Sequence, residues 1–228
     1  MYHNSAVVKK NRRSLVSRPL AVLLLGPTGS GKSPLGEAAA LSGLWGRRSF
    51  HFDFGVNLRR AAAWRGPDRF RLGRAGLAVI RRSLATGALL EDEHFPIAAG
   101  IFEGFLGAAR VRPEDLIVLN GLPRHAGQAR EMDRLVSVIA VVQLIAAPAV
   151  VSERIRRDTG GDRKGRGDDS LAEIRKKMDI YEARTRPLVD HYRNKGAAVI
   201  TLGVGARTTA EMMRRRLERS GGIALFTP

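Results

Sequence analysis

The chain of 228 residues contains no cysteine. This absence excludes a disulfide framework, a zinc site built from thiolates and a cysteine nucleophile. Long hydrophobic runs are missing as well: the longest, residues 138–151, is interrupted by Gln143 and Pro148 and is too short to span a bilayer. We therefore expect a soluble, cytoplasmic protein that does not act at a membrane.

Negative charge is also scarce. The sequence has 22 Asp and Glu residues against 39 Lys and Arg residues, a net charge of +17, and its first acidic residue is Glu37. Such a charge favours nucleic acids, acidic membranes or phosphorylated small molecules as partners. Nucleic acid is the less expected partner, because no pattern of stacking aromatic residues accompanies the arginines. Residues 1–18 are expected to form a flexible basic tail.

Short apolar runs recur along the chain between stretches with helical signals. They cover residues 20–25, 49–54, 116–119, 138–145 and 197–202. Runs of this length without polar alternation are typical of strands that are buried on both faces. Five such strands alternating with helices predict an α/β fold, a parallel five-stranded sheet flanked by helices. We expect residues 19–228 to form one domain.

Helix boundaries are marked by two capping boxes. Ser170 with Glu173 predicts a helix that begins near residue 170, and Pro187 should end or kink it. A second capping box begins at Thr208, and Gly221 should end the helix that follows.

Two segments are predicted to lie outside the core, which comprises residues 19–54 and 114–228. Residues 55–113 are rich in Arg, Ala and Gly and predict a helical insertion. Residues 158–169, DTGGDRKGRGDD, are too polar and glycine-rich to pack in a core, so we expect them to form a short mobile surface loop.

The strongest motif is GPTGSGKS at residues 26–33, which fits the pattern G-x-x-x-x-G-K-[ST] and predicts binding of a nucleoside triphosphate. It follows an apolar strand and precedes a helical stretch. Glycines allow backbone N–H groups to surround an anion, and the helix N-terminus adds positive charge. Lys32 is expected to reach the outer phosphates, and Ser33 offers a hydroxyl to Mg²⁺. The expected nucleotide-binding residues are Gly26, Thr28, Gly29, Ser30, Gly31, Lys32 and Ser33.

Several classes of protein share this loop. A GTP-binding protein needs an N-K-x-D element, which the sequence lacks. A motor ATPase would end a long apolar strand in an acidic residue, whereas the third predicted strand is followed by Asn120. The small size, the polar loop and the dispersed arginines favour a kinase that acts on a small acceptor.

Five further elements occur in a familiar order. They are HFDFGVNLR at 51–59, GALLEDE at 87–93, NGLPRHAGQA at 120–129, GRGDD at 165–169, and Tyr181, Thr185, Pro187, Leu188 and Tyr192 in the pattern Y-x-x-x-T-x-P-L-x-x-x-Y. Together they resemble nucleoside monophosphate kinases of the adenylate kinase type, from about residue 20 to residue 217. The resemblance implies a phosphate-loop kinase fold with a short lid. It also implies a monomeric enzyme that uses ATP and Mg²⁺ to phosphorylate a nucleoside monophosphate, with AMP as the favoured acceptor.

The resemblance also implies roles for individual residues. Arg59 and Arg124 would hold the acceptor phosphate, because a planar guanidinium can bind phosphate through two hydrogen bonds. Gln128 would read the acceptor base, Arg154 would lie over the donor base, and Arg166 would close with the lid. Catalysis is assigned to Lys32, Arg124, Arg154 and Arg166, and substrate binding to Asp53, Phe54, Gly55, Arg59, Gly121, Arg124, Gln128 and Lys177. The residues that would brace the lid are Asp168 and Asp169.

Departures from the family pattern concern the metal and the acceptor. Asn120 stands where the family has Asp, and a neutral amide is a poorer ligand for a hard cation. Asp53 replaces a small hydroxyl residue, so Mg²⁺ is expected to be held by Ser33 and, through water, by Asp53 or Asn120. Phe54 replaces a Thr near the acceptor base, and Lys177 replaces an Arg near the transferring phosphates. Two alternatives stay open: a kinase for another small acceptor, and a catalytically weak ATP-binding regulatory protein.

Overall fold

In the computed structural model, which describes residues 18–64, 72–161 and 170–220, the predicted α/β fold is confirmed. The strands are β1 (Leu20–Leu25), β2 (Ser49–Asp53), β3 (Leu116–Asn120), β4 (Ser137–Ile145) and β5 (Ala198–Gly203). Within the described residues these five strands form one sheet in the order β2-β3-β1-β4-β5. All four pairings between neighbouring strands are parallel.

Helices connect the strands and cover both faces of the sheet. They are α1 (Lys32–Ser42), α2 (Phe54–Ala63), α3 (Gly73–Thr86), α4 (Phe95–Ala109), α5 (Ala126–Met132), α6 (Pro148–Arg156), α7 (Leu171–Ile180), α8 (Leu188–Asn194) and α9 (Ala210–Arg219). A 3-10 turn, Asp92–His94, precedes α4, and a π-helical turn, Tyr181–Thr185, follows α7. The predicted second strand is one residue too long, because Phe54 already belongs to α2.

The apolar sequence of β1 explains why it lies at the centre of the sheet. Successive side chains of a strand point to opposite faces, and residues 21–25 of β1 are all almost fully buried. Leu23 packs in the cluster formed with α2, α4, α5 and α8, whereas Leu24 packs with α1 and α9 on the other face. Each face of the sheet therefore has its own apolar core, as expected for strands without polar alternation.

The described part of residues 55–113 is mainly helical and packs beside the edge strand β2. Phe102 of α4 meets Phe52 of β2 edge-to-face, with ring centroids 5.0 Å apart. Ile80 of α3 and Leu58 of α2 are buried in the same cluster. This packing attaches α2, α3 and α4 to the core at the side of β2.

The predicted helix start at Ser170 is confirmed. Its hydroxyl accepts a hydrogen bond from the N–H of Glu173 at 3.3 Å, and the Glu173 carboxylate accepts one from the N–H of Ser170 at 3.3 Å. The helix that begins here gives way to the π-helical turn, and Pro187 then precedes α8. The interruption that Pro187 predicts is therefore present.

The second predicted capping box is wrong by one residue. Thr209, and not Thr208, caps α9: its hydroxyl accepts a hydrogen bond from the N–H of Met212 at 3.2 Å. The hydroxyl of Thr208 instead accepts a hydrogen bond from the N–H of Gly205 at 2.9 Å. Two adjacent threonines compete for the same role, and the turn before the helix decides between them.

Some predictions fall on residues outside the described ranges. They concern residues 1–17 of the N-terminal tail, the helix-ending Gly221, and Arg166, Asp168 and Asp169 of the lid segment. Within the described residues, no helix combines the length and the apolar character that crossing a bilayer requires.

Candidate active site

The candidate site lies where the carboxyl ends of the strands meet. In open parallel sheets, ligands bind in the crevice outside these ends. The phosphate loop follows β1 and leads into α1, whose N-cap is Gly31. Asp53 ends β2 and Asn120 ends β3, and the register places the two residues opposite each other. The fold thus brings three segments that are distant in sequence to one edge.

Gly31 illustrates why the loop needs glycine. Its φ of 99° lies in the left-handed region, which disfavours other residues. A Cβ here would also lie 2.9 Å from the Met213 side chain and 3.0 Å from the Arg154 guanidinium. The loop is therefore held tightly against α9 and α6.

Lys32 and Ser30 lie at the inner side of the loop. The Nζ of Lys32 donates hydrogen bonds to the carbonyl oxygens of Gly26 at 2.7 Å and Pro27 at 2.8 Å. The Ser30 hydroxyl is fully buried, and among the described residues it has no hydrogen-bond partner. It lies only 2.8 Å from the position that a Cβ at Gly26 would occupy, so it points into the loop. The other predicted loop residues, Thr28 and Gly29, are half-buried.

Ser33, Asp53 and Asn120 form a closed triangle of hydrogen bonds. The Ser33 hydroxyl donates to Asp53 Oδ2 at 2.8 Å. The amide Nδ2 of Asn120 donates to the same carboxylate oxygen at 2.9 Å and to the Ser33 hydroxyl at 3.0 Å. The two positions that the sequence offered as alternative metal partners are therefore in direct contact with each other and with Ser33.

The other carboxylate oxygen of Asp53 begins α2. Oδ1 accepts a hydrogen bond from the N–H of Val56 at 2.9 Å, which makes Asp53 the N-cap of the helix. Asn57 adds a hydrogen bond from its side-chain amide to the backbone oxygen of Asp53 at 2.8 Å. Both oxygens of Asp53 are thus engaged, and the carboxylate is fixed between α1 and α2.

Arg124 is held by its backbone, whereas no described residue pairs with its guanidinium. Its N–H donates to the side-chain oxygen of Gln128 at 2.8 Å, and its carbonyl oxygen accepts from the hydroxyl of Thr185 at 2.8 Å. Within the described ranges, no carboxylate or hydrogen-bond acceptor pairs with the half-buried guanidinium. Burial, and secondarily the charge of Arg184, lowers the pKa of Arg124. Arg124 is therefore a cation without a counter-charge among the residues that the structure describes.

Gln128 links Arg124 to the segment that returns from α3. Its amide Nε2 donates to the carbonyl oxygen of Leu90 at 2.8 Å, while its oxygen accepts from the Arg124 backbone. The same Leu90 oxygen lies 3.0 Å from Nε2 of His125, and both His125 and Gln128 are buried. The amide that was expected to read the acceptor base is therefore hydrogen-bonded inside the protein at both ends.

Sequence reasoning missed an ion pair beside Arg124. Arg184 and Glu91 form two parallel hydrogen bonds of 2.6 and 2.7 Å. Hydrogen bonding to Arg184 lowers the pKa of Glu91. The pair joins the segment after α3 to the π-helical turn. Opposite charges 93 positions apart carry no periodic signal in the sequence.

The residues expected around the acceptor are only partly brought together. The exposed guanidinium of Arg59 lies beside Gly55, 3.6 Å from the position of a Cβ there, and Asp53 Oδ1 lies 3.4 Å from the same position. Phe54 is buried in the core and packs against the backbone of Gly121. Phe54 thus contributes to the wall of the site through packing, and Arg59 lies at its open side.

Among the described site arginines, Arg154 is the most deeply buried. Its Nε donates to the carbonyl oxygen of Gly29 at 3.0 Å, and its Nη1 donates to those of Gly205 at 2.9 Å and Thr208 at 2.7 Å. Its guanidinium thereby ties the phosphate loop to the loop between β5 and α9. Lys177 is half-buried on α7, and Arg166 lies outside the described residues.

No model of a known protein family matches the chain. The adenylate kinase of Xanthomonas campestris pv. campestris (strain 8004) is 34% identical to it over 192 residues, which cover 82% of this chain and 92% of that protein. The adenylate kinase of Xanthomonas oryzae pv. oryzae (strain MAFF 311018) is 32% identical over 206 residues, which cover 88% of this chain and all of that protein. The chain belongs to the adenylate kinase family.

Membership of the adenylate kinase family makes the protein a phosphotransferase and confirms the resemblance found in the sequence. Stenotrophomonas maltophilia (strain R551-3) has an adenylate kinase that is 34% identical over 191 residues, covering 82% of this chain. In this family member, the carboxylate next to the phosphate-loop serine comes from β2 at Asp53, and β3 contributes the amide of Asn120.

Proposed function

We propose that the protein transfers the γ-phosphate of ATP to a nucleoside monophosphate, with AMP as the favoured acceptor. The observation that carries the proposal is the guanidinium of Arg124, half-buried at the sheet edge and without a counter-charge among the described residues. A cation left in this state favours an anion as its partner, and a phosphate dianion suits the guanidinium fork. Arg59 is exposed at the open side of the same edge, and it would contact the phosphate on its solvent-facing side.

On the donor side, the loop at residues 26–33 would surround the β- and γ-phosphates. Backbone N–H groups and the α1 N-terminus supply positive charge that is already oriented. The Nζ of Lys32 has three donors and would exchange the carbonyls of Gly26 and Pro27 for phosphate oxygens. The buried hydroxyl of Ser30 would gain the partner that the described residues do not provide.

The triangle of Ser33, Asp53 and Asn120 fits Mg²⁺. This ion prefers oxygen ligands and usually keeps waters and phosphate oxygens. Ser33 donates its proton to Asp53 and accepts one from Asn120, which leaves a second lone pair for a cation. Among the described residues, no group of three or more acidic or histidine side chains could hold a metal alone, so the nucleotide would complete the shell. When bound, the ion would neutralise charge on the phosphates.

The reaction needs no covalent enzyme intermediate. An oxygen of the acceptor phosphate attacks the γ-phosphorus in line, and the bond to the leaving ADP breaks. Arg124 would orient the acceptor phosphate, and Gln128 and Thr185 would hold Arg124 by its backbone. Arg154 would act at the donor side, and the lid residue Arg166 would add charge on closure. Because all these groups come from one chain, we propose a functional monomer.

A second candidate function is phosphorylation of a different small acceptor. It is favoured by the amide of Gln128, whose oxygen and nitrogen are bound to Arg124 and Leu90. A base-reading amide would first have to release these hydrogen bonds. Phe54 offers no hydroxyl to a base and is buried in the core.

The deciding experiment measures ADP formation from Mg-ATP with each common nucleoside monophosphate and without acceptor. We expect stimulation by AMP, loss of it in Arg124→Ala, and retention in the matched control Arg130→Ala, whose side chain is exposed on α5. Stimulation by another monophosphate alone would show that this monophosphate, and not AMP, is the acceptor. ATP binding without stimulation by any monophosphate would overturn the proposal in favour of another acceptor or a regulatory protein.

A further inference from the structure

The part of the sequence that contains α2 and α3 is rich in arginine. Residues 54–90 contain eight Arg and one acidic residue, Asp68, so a segment of 37 residues contributes +7 to the net charge of +17. The described arginines of this segment are Arg59, Arg60, Arg74, Arg81 and Arg82. All five side chains are exposed, and no acidic residue occurs in the described part of residues 54–90.

These arginines differ from many others on the surface because no acidic residue in the described part of the chain pairs with them. On α9, Arg214 and Arg215 both bind the carboxylate of Glu211, and on α8 Arg193 pairs with Asp190. Within the described residues, none of the five arginines on α2 and α3 forms an ion pair or a side-chain hydrogen bond. Their charge therefore produces a positive electrostatic potential in the solvent around α2 and α3.

Each of the two helices has one end near the candidate acceptor site. α2 begins at Asp53, the N-cap whose other oxygen contacts Ser33. α3 ends four residues before Leu90, whose carbonyl oxygen is bound by Gln128. Arg81 and Arg82 lie about 6–8 Å along the helix axis from the end of α3, and Arg74 lies about 18 Å from it. The unneutralised charge is thus joined to the place where the acceptor phosphate would bind.

We propose that the exposed face of α3, with Arg74, Arg81 and Arg82, is a capture surface that steers the acceptor phosphomonoester dianion into the site. This inference rests on the proposed function and adds to it a role for residues that do not touch the bound acceptor. Like charges that line one side of an entrance raise the local concentration of an anion and its association rate, and salt screens the effect. A phosphomonoester carries nearly two negative charges at neutral pH, so it feels the field strongly.

The test compares the triple variant Arg74→Gln/Arg81→Gln/Arg82→Gln with a matched control, Arg215→Gln/Arg216→Gln/Arg219→Gln. Both variants remove three positive charges from the exposed part of a surface helix, and Gln has nearly the helix propensity of Arg. α9 packs on the opposite face of the sheet from α3. The measured quantity is kcat/KM for the acceptor at saturating ATP, between about 0.01 and 0.5 M ionic strength.

We expect the α3 variant to lose about fivefold in kcat/KM at the lowest ionic strength and less than about twofold at the highest, with kcat unchanged. The α9 control should follow the wild type. Equal salt dependence in the wild type and the α3 variant would overturn the proposal, and so would an equal loss in the α9 control. Binding of single-stranded RNA that only the α3 variant loses, with kcat/KM unchanged, would assign the surface to a nucleic acid instead.

A second measurement does not depend on turnover. Trp64 follows α2 and is 40% exposed, whereas the other tryptophan, Trp45, is 7% exposed. Quenching of tryptophan fluorescence by iodide, compared with neutral acrylamide, should be enhanced in the wild type at low salt and reduced in the α3 variant. Equal quenching by iodide in the wild type and the α3 variant would show that these arginines produce no cationic field, and it would overturn the proposal. Failure of every acceptor to be phosphorylated, with the field present, would overturn the proposed function, and with it the steering of an acceptor.

Discussion

Asp53 and Asn120 end neighbouring parallel strands and face each other across the sheet, with Nδ2 of Asn120 donating a 2.9 Å hydrogen bond to Oδ2 of Asp53. The carboxylate therefore sits on the edge strand, and the amide sits on the strand next to the phosphate loop. Ser33 contacts both residues, at 2.8 and 3.0 Å. A cation held by Ser33 would meet its nearest negative charge at Asp53.

Exchange of these two residues tests which position serves the metal. We expect Asp53→Asn to lower kcat by about 100-fold and to raise the Mg²⁺ concentration needed for half-maximal turnover, because the only carboxylate of the triangle is lost. Asn also caps helices well, so the start of α2 and the melting temperature should be preserved. Titration of the variant with Mn²⁺ by electron paramagnetic resonance in the presence of ATP checks binding directly.

The reverse exchange provides the control for that prediction. Asp53→Asn combined with Asn120→Asp should recover part of the lost Mn²⁺ affinity, because a carboxylate returns 2.9 Å from the original one. Unchanged metal affinity in Asp53→Asn would remove Asp53 from the metal site.

Lys32→Ala should lower turnover by about 100-fold or more without unfolding the protein, because the ammonium would stabilise charge on the transferring phosphates. In the structure the Nζ donates hydrogen bonds to the carbonyl oxygens of Gly26 and Pro27, and water can replace the ammonium at these oxygens. Turnover and thermal melting are measured on the same preparation. Full activity in the variant would contradict the assignment of the phosphate loop.

Arg124→Met should separate function from stability. The guanidinium is half-buried and has no counter-charge among the described residues, so it costs stability, as its lowered pKa indicates. An apolar side chain of similar length should raise the melting temperature by about 2–4 °C while the acceptor KM increases and kcat falls. A decrease in melting temperature would show that Arg124 has a stabilising partner and would remove the main support for the acceptor site.

Glu91→Gln should make stability less dependent on acidic pH. Arg184 holds the pKa of Glu91 below its ordinary value of 4.5, so its contribution is complete above pH 4.5 and is lost as the pH falls below it. The pair is partly exposed, so this contribution is at most about 1 kcal/mol near neutrality. Melting curves of the wild type and the variant should differ at pH 7 and converge as the pH falls below 4.5; a constant difference would contradict this linkage.

The phosphate loop and the parallel sheet could be read from the sequence because both depend on local patterns. Five apolar runs have the length of buried strands, and the loop has its glycines at fixed spacing. The predicted strand bounds agree with those of the structure to within about one residue. One such difference is Phe54, which belongs to α2 because Asp53 caps that helix. The cap of α9 was misplaced because Thr208 and Thr209 carry the same side chain.

Apolar periodicity encodes the fold class, short-range spacing encodes the phosphate loop, and the motifs carry the family resemblance, so all three could be predicted from the residues alone. Three contacts form only when the chain folds: the triangle of Asp53, Ser33 and Asn120, the ion pair of Glu91 with Arg184, and the hydrogen bond from the Gln128 amide to Leu90. The physical reason is that strand order and register set these contacts. Residues 67 positions apart, such as Asp53 and Asn120, become neighbours only once β2 has paired with β3.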